Sequence, residues 1–339
     1  MWRLIGTYYS FGLLIVTIVC WLVSGVTSPA QYWLPCAHQS GQLRQGAGMK
    51  FWQMVTWAET SHYREIARYA EELGFYGVMN ADHAFFPQTV SSPYPYAADG
   101  KPPMPSDSEY PDTWVSLAQM AAVTERLMFS TSVYILPLRN PIEVAKATGT
   151  LALMSDNRFI LGAGVGWMKD EFDAYGIDFS TRGQRYDECL EVLRQLWTGD
   201  WTEYQGRHIA FDSLRILPAP TASVPIYLGG SSPVALRRTA RIADGWIGNG
   251  NTVDEVPPLL AQLQQLRREA GREHEPFETV IGLSEPATIA TYQRLQDLGM
   301  TAGVNAPFAF TCGWQSSLAA KREQMEQFAE QFIRPLADD

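Results

Sequence analysis

The chain of 339 residues is poor in the residues that bind metals and form disulfides, with 4 Cys and 5 His. Cys20, Cys36, Cys189 and Cys312 form no C-x-x-C pair, and His38, His62, His83, His208 and His274 are scattered. That spacing suggests neither a zinc site nor a disulfide framework, so no metal is expected. Cys189 and Cys312 read as small hydrophobes. No Lys/Arg cluster occurs and the net charge is −10, so nucleic acid is not an expected partner. Charge is scarcest at the start: Arg3 and Arg44 are the only charged residues in positions 1–48. Residues 4–26 are nearly continuous apolar sequence, and a bilayer span takes about 20 residues. Ser28-Pro29-Ala30 resembles a small-residue cleavage site. Residues 1–48 therefore read as a signal peptide, a membrane anchor or a start extended too far upstream. Met49-Lys50-Phe51 opens directly into a strand-like run, which favours the last. The expectation is a cytoplasmic domain over 49–339, exported or membrane-bound only if 4–26 are a genuine leader or anchor.

A third glycine is also missing where it would matter. In Arg158 to Phe172, RFILGAGVGWMKDEF, an apolar run feeds into Gly162, Gly164 and Gly166. The dinucleotide fingerprint needs Gly-x-Gly-x-x-Gly, and Trp167 stands where its last glycine would be. The segment reads instead as a strand end of another kind, where missing side chains allow close approach. An acidic stretch able to open a helix follows.

From Met49 onward, strand-like and helix-like runs alternate. Strands are expected over 51–55, 77–80, 127–136, 158–165, 224–228, 245–248, 279–283 and 302–305. Helices with 3.6-residue apolar spacing lie between them. Ser61 and Ser284 are candidate helix caps, and Pro141 suits a first helical turn. Eight such strands predict an α/β fold, a (β/α)8 TIM barrel, with a long proline-rich loop inserted after strand 2 between Pro87 and Pro111. A doubly wound open sheet would concentrate glycine in one first turn. Here polar and glycine motifs mark several strand ends, and in a barrel those ends form the active site.

Asp82-His83 directly follows strand 2. A His there can hold a cofactor ring or move a proton, although a lone His is often only a satisfied loop residue, and Asp82 can be a turn cap. Gly229-Gly230-Ser231-Ser232-Pro233 is a sharper signal. Ser232 as N-cap and Pro233 as first helical residue put a helix N-terminus beside two glycines, a ready phosphate site. Arg182, Arg185 and Tyr186, at the start of a long helix, could reach a phosphate or form an ordinary helix face. Trp167 and Phe85 sit where an aromatic pocket wall is expected.

Five segments, ELGFYGVMNADH, YPYAADGKPPMPSDSEYPD, ERLMFSTSVYILPLRNPIEVAKATGTLALMS, NRFILGAGVGWMKDEFDAYGIDFSTRGQRYDECLEVLRQLWTGD and PIYLGGSSPVALRRTARIADGW, resemble the luciferase-like monooxygenase superfamily. The likeness is to its coenzyme F420-dependent branch and covers Met49 to the C-terminus. It implies a TIM barrel that binds F420 or FMN at the C-terminal face. It implies that Asp82 and His83 lie beside the ring, with His83 catalytic. Ser132-Val133 falls where such proteins often hold a non-proline cis peptide behind the ring, and Gly229, Gly230, Ser231 and Ser232 match the phosphate loop. Gly164, Gly166, Trp167 and Tyr186 complete the expected cofactor surround. Asn80-Ala81 and Asn249-Gly250-Asn251 depart from the family pattern and put the substrate in question. The implied activity is F420-dependent hydride exchange with a small organic substrate. The alternatives are a reduced-FMN monooxygenase acting on an alkanesulfonate or aldehyde, and a flavin-binding protein without catalysis. A homodimer is implied by family likeness alone.

Overall fold

The computed structural model describes residues 48–97 and 99–337. The apolar run 4–26 and Ser28-Pro29-Ala30 lie outside them. Among the described residues, no helix is long and apolar enough to cross a membrane.

The expected alternation is present as a closed, eight-stranded parallel (β/α)8 TIM barrel. In chain order its strands are β1 (Lys50–Met54), β2 (Gly77–Asn80), β3 (Met128–Thr131) with its continuation β4 (Tyr134–Ile135), and β5 (Phe159–Gly164). After the outlying strands β6 (Thr202–Gln205) and β7 (Ala210–Leu214) come β8 (Ile226–Gly229), β9 (Gly245–Asn251), β10 (Glu278–Leu283) and β11 (Ala302–Asn305). β1 pairs with both β2 and β11, and β5 pairs with both β3 and β8, which closes the ring. All these pairs are parallel, so every barrel strand ends at the same mouth.

Side chains alternate across a strand, so each barrel strand sends one set inward and the other toward the helices. The inward set includes Trp52, Met54, Met79, Ile160, Tyr227, Ile247, Val280 and Ala302, all buried. The outward set, among it Phe51, Val78, Phe129, Leu161 and Leu228, packs under the helical layer. Burying a side chain such as Ile160 or Leu161 contributes about 2 kcal/mol each. Because both faces are covered, the strands read as nearly continuous apolar runs rather than alternating ones.

Helix ends follow local chemistry. Asn140 caps the helix Pro141–Met154 through its side chain, and Asp112, Ser232, Thr288 and Ser317 cap four others. Gly74 closes Tyr63–Glu72 with a φ of +84°, a left-handed conformation suited to glycine. Two expected caps are not caps. Ser61 lies inside a 3-10 turn, Thr60–His62, whose N-cap makes no side-chain bond. Ser284 gives its N–H to the Asn251 carbonyl, and the helix starts five residues later, at Ile289 behind the cap Thr288.

Two further differences have physical reasons. The expected strand 127–136 is interrupted at Ser132–Val133, a cis peptide, and resumes as β4 against β5. The antiparallel hairpin β6–β7 was absent from the expected elements. It packs outside the barrel with its outer positions exposed, so it has no apolar run.

Candidate active site at the barrel mouth

The mouth is built from the loops that follow the barrel strands. β2 ends at Asn80, and two residues later Asp82 and His83 part company. Asp82 is 8 % exposed, and its carboxylate accepts the Ile135 N–H at 3.0 Å and Arg139 Nη2 at 3.2 and 3.4 Å. Burial pushes its carboxyl above the ordinary value, with the Arg139 charge and the Ile135 N–H acting the other way. Asp82 is thus occupied in tying the end of β2 to β4 and Arg139, a role different from the cofactor contact the resemblance implies.

His83 goes elsewhere. Its Nδ1 lies 3.2 Å from Glu171 Oε2. Its ring meets Tyr110 edge-on at 5.1 Å between centroids and Trp167 at 5.8 Å. Trp167 in turn meets Tyr94, and Tyr110 meets Trp57. Trp57, just past β1 with a φ of +63°, also contacts Phe310 and Trp314 from the loop after β11. The mouth thus has an aromatic wall drawn from the loops after β1, β2, β5 and β11. Of the two expected wall residues, Trp167 belongs to it; Phe85 is exposed and makes no ring contact among the described residues. Burial pushes the Tyr94 hydroxyl up to about 12 and Tyr110 higher still, so both are protonated donors at neutral pH.

The glycines have their own tenants. A Cβ on Gly164 would sit 2.4 Å from Val133 Cγ2, and one on Gly229 would sit 2.9 Å from Val133 Cγ1. The bareness of β5 and β8 at this level makes room for Val133, which the break between β3 and β4 presents to the barrel. Gly166, with φ +80°, packs against Ile135 and Phe172. The expectation that Gly164 and Gly166 face the cofactor is therefore corrected in part: the protein's own side chains fill the space their missing Cβ atoms leave. Ser132 and Val133 do form the expected cis bulge at the mouth.

Gly229–Ser232 leads from the end of β8 into the helix Pro233–Ile242. Gly230 has φ +101° and its carbonyl accepts the Trp246 indole N–H at 3.0 Å. Ser232 Oγ caps Ala235 N, Pro233 is the first helical residue, and no acidic residue lies in the first turn of Pro233–Ile242. Ser231 and Ser232 are exposed, and their backbone N–H groups have no protein acceptor among the described residues. Two N–H groups, two hydroxyls and a helix N-terminus form a donor set that suits a cofactor phosphate. Tyr186 is different. It is 2 % exposed inside the barrel–helix core, with the Arg238 guanidinium over its ring at 5.3 Å. It is core, and the expected cofactor contact is corrected. Arg182 lies over Phe179, and Arg185 donates to the Pro137 carbonyl, so each is engaged within the protein.

Sequence reasoning missed Glu171. It lies in the first turn of Lys169–Ala174, is 0 % exposed, and accepts the Ala84 N–H at 2.7 Å through Oε1. An acidic residue opening a helix is ordinary; only its position two before Asp173 and beside apolar Phe172 set it apart, and neither shows that it turns inward.

Fold and mouth together define a TIM-barrel protein with an exposed donor loop and an aromatic-walled polar dyad at its C-terminal face. The chain belongs to the luciferase-like monooxygenase family, whose model matches residues 32–332. It is 36 % identical over 289 residues to the uncharacterized protein Rv0940c of Mycobacterium tuberculosis (strain ATCC 25618 / H37Rv), a match covering 84 % of this chain and 99 % of that one. It is 30 % identical over 218 residues to an F420-dependent glucose-6-phosphate dehydrogenase of Microbacterium testaceum, covering 62 % of this chain and 60 % of that protein. The crystal structure of monooxygenase RslO1 from Streptomyces bottropensis shares the fold, with TM-score 0.69, 18 % identity, and coverage of 85 % of this chain and 100 % of that one.

Proposed function

We propose that this protein is an oxidoreductase that binds coenzyme F420 at the barrel mouth and exchanges hydride with a small, uncharged organic substrate. The observation that carries the reading is the pairing, at one mouth, of His83 inside an aromatic wall with the exposed donor loop Gly229–Ser232. The F420 dependence named for the Microbacterium relative supports it. Gly230, Ser231 and Ser232 would hold the cofactor's phosphate, and Val133 would back its ring. When bound, the deazaflavin supplies the hydride chemistry. His83 would hold or move a proton, with Trp167 and Tyr110 excluding water around it. Two cations by this region, Arg139 and Lys321, are committed to Asp82 and Glu59. With aromatic walls, that suits an uncharged substrate better than a sugar phosphate.

The family description favours a second reading as a monooxygenase, which we take as reduced-FMN-dependent and acting on an alkanesulfonate or aldehyde. A flavin-binding protein without turnover is the alternative from another class. We take 49–339 as the enzymatic domain, although the family match begins at residue 32; a cytoplasmic location goes with that reading. Fluorescence quenching of the full chain with F420 and with FMN separates the cofactors. F420 bound at micromolar or tighter affinity with weak FMN binding supports the proposal, and the reverse overturns it. Bound cofactor with no turnover across uncharged alcohols, ketones and aldehydes would favour the non-catalytic reading.

A further inference from the structure

The His83–Glu171 pair supports an inference that deepens the proposed function and rests on it. Glu171 is fully buried, and its two oxygens have separate duties. Oε1 accepts the Ala84 N–H at 2.7 Å, while Oε2 lies 3.2 Å from His83 Nδ1. Both atoms are buried, and neither makes an aligned hydrogen bond, to the other or to any further group, among the described residues. A carboxylate removed from water is costly unless it is paired, and the imidazole is the group that meets this oxygen. Tyr110 and Trp167 abut the imidazole edge-on and limit its rotation. The other ionisable groups facing the pair are the Tyr110 hydroxyl and Asp82, and Arg139 already holds Asp82.

We propose that Glu171 is the positioning residue of His83. It accepts the Nδ1–H, fixes that tautomer, and leaves Nε2 as the nitrogen that exchanges a proton with the substrate. Nε2 makes no hydrogen bond to the protein among the described residues. When Nε2 takes a proton from a substrate hydroxyl, the positive charge formed on the ring lies against the Glu171 carboxylate; when it returns the proton, the ring is neutral again. The proton on Nδ1 stays where it is throughout. A carboxylate that orients an imidazole in this way acts through tautomer and charge rather than by touching substrate.

Glu171→Gln tests this with little change of shape. Its carbonyl can still accept the Ala84 N–H, which turns the amide NH2 toward Nδ1. The imidazole must then accept at Nδ1 and carry its proton on Nε2. Imidazole 15N shifts of the cofactor-free full chain, labelled at histidine and measured at alkaline pH, report the tautomer; a His83→Asn spectrum assigns the signal. The expected result is an Nδ1–H ring in wild type and an Nε2–H ring in Glu171→Gln. F420 affinity should be retained, and kcat should fall about 100-fold or more with KM within about twofold. A wild-type ring protonated on Nε2 overturns the proposal without any variant. So does a folded Glu171→Gln protein with the wild-type tautomer or wild-type kcat. Failure to bind F420 would count against the cofactor reading alone, because the tautomer is read without it.

Discussion

The two ends of the barrel use glycine in the same way and with opposite results. At the end where the strands begin, a Cβ on Gly77 would lie 2.3 Å from the Trp52 ring, and one on Gly245 would lie 2.6 Å from the Tyr227 ring. Trp52 also packs edge-on against Tyr76, and the Lys50–Glu278 pair at 2.6 Å adds its cation over the Tyr76 ring. Each glycine is answered by a large ring, so this end is plugged. At the mouth, Gly164 and Gly229 are answered by one small side chain, Val133. A single methyl-bearing side chain from an interrupted strand forms the floor there, and the polar residues stand around it. One end of the barrel is closed by large rings, and the other is floored by one small side chain with polar groups around it.

The comparison breaks first at Gly77. Gly77→Ala would push a methyl into Trp52 and to 2.5 Å from the Met128 carbonyl oxygen. Overpacking of that kind should cost about 3 kcal/mol in urea unfolding, with cofactor affinity unchanged in the folded fraction. An unchanged midpoint would mean the plug is loose. Lys50→Met comes next, because it leaves Glu278, 16 % exposed, without its cation. About 2 kcal/mol of stability should be lost, less than for a fully buried pair because both groups touch solvent. Gly164→Ala should cost less, about 1.5 kcal/mol, but should also weaken cofactor binding. Adding Val133→Ala should restore part of both losses, with a coupling of about 1 kcal/mol in a double-mutant cycle. Strict additivity would deny that Val133 occupies the space over Gly164.

The smallest effect concerns pH. Glu71 Oε1 accepts the N–H groups of Glu125, Arg126 and Leu127 at 2.9, 2.5 and 2.9 Å, just ahead of β3 at the plugged end. Burial alone would raise its carboxyl, but these bonds outweigh burial and hold it below the ordinary carboxylate value. The folded protein therefore binds this proton less readily than the unfolded chain. The stabilisation is complete above the unfolded value and is lost as pH falls through the depressed one. Glu71→Gln should flatten that acid limb by about 1 kcal/mol in denaturation measured from neutral to low pH. Cofactor binding at neutral pH should be unaffected. An unchanged acid limb would remove Glu71 from the account.

Much of the barrel was legible because strand and helix periods alternate along the chain, and because local signals such as Asn140-Pro141 and Ser232-Pro233 carry their own geometry. The donor loop was legible for the same reason. What escaped depended on distant residues. The run Gly162, Gly164, Gly166 marks a strand end correctly, but the sequence does not show that Val133, about thirty positions earlier, occupies the space beside it. Tyr186 looked available because it opens a helix after Arg182 and Arg185, yet the helix turns it inward. Glu171 looked like one more acid at a helix start. The β6–β7 hairpin has exposed residues at its outer positions, so it lacks the apolar run that revealed the other strands.

Lys321 has a consequence for how the mouth can move. Its side chain is 1 % exposed and bonds Glu59 in the loop after β1 and the Ser316 carbonyl in the loop after β11. Swinging the segment that carries Phe310 and Trp314 away from the barrel would strip a buried ammonium of its partners, at a cost of several kcal/mol. That side of the entrance behaves as a fixed jamb. The long loop after β2 is joined to its surroundings by exposed bonds, from Ser91 N to Asp170, Lys169 N to Ser92 and Thr60 to Glu109. Water can replace each of these at little cost, so on that side the loop is held to the mouth mainly by its aromatic residues, Tyr94 against Trp167 and Tyr110 against His83.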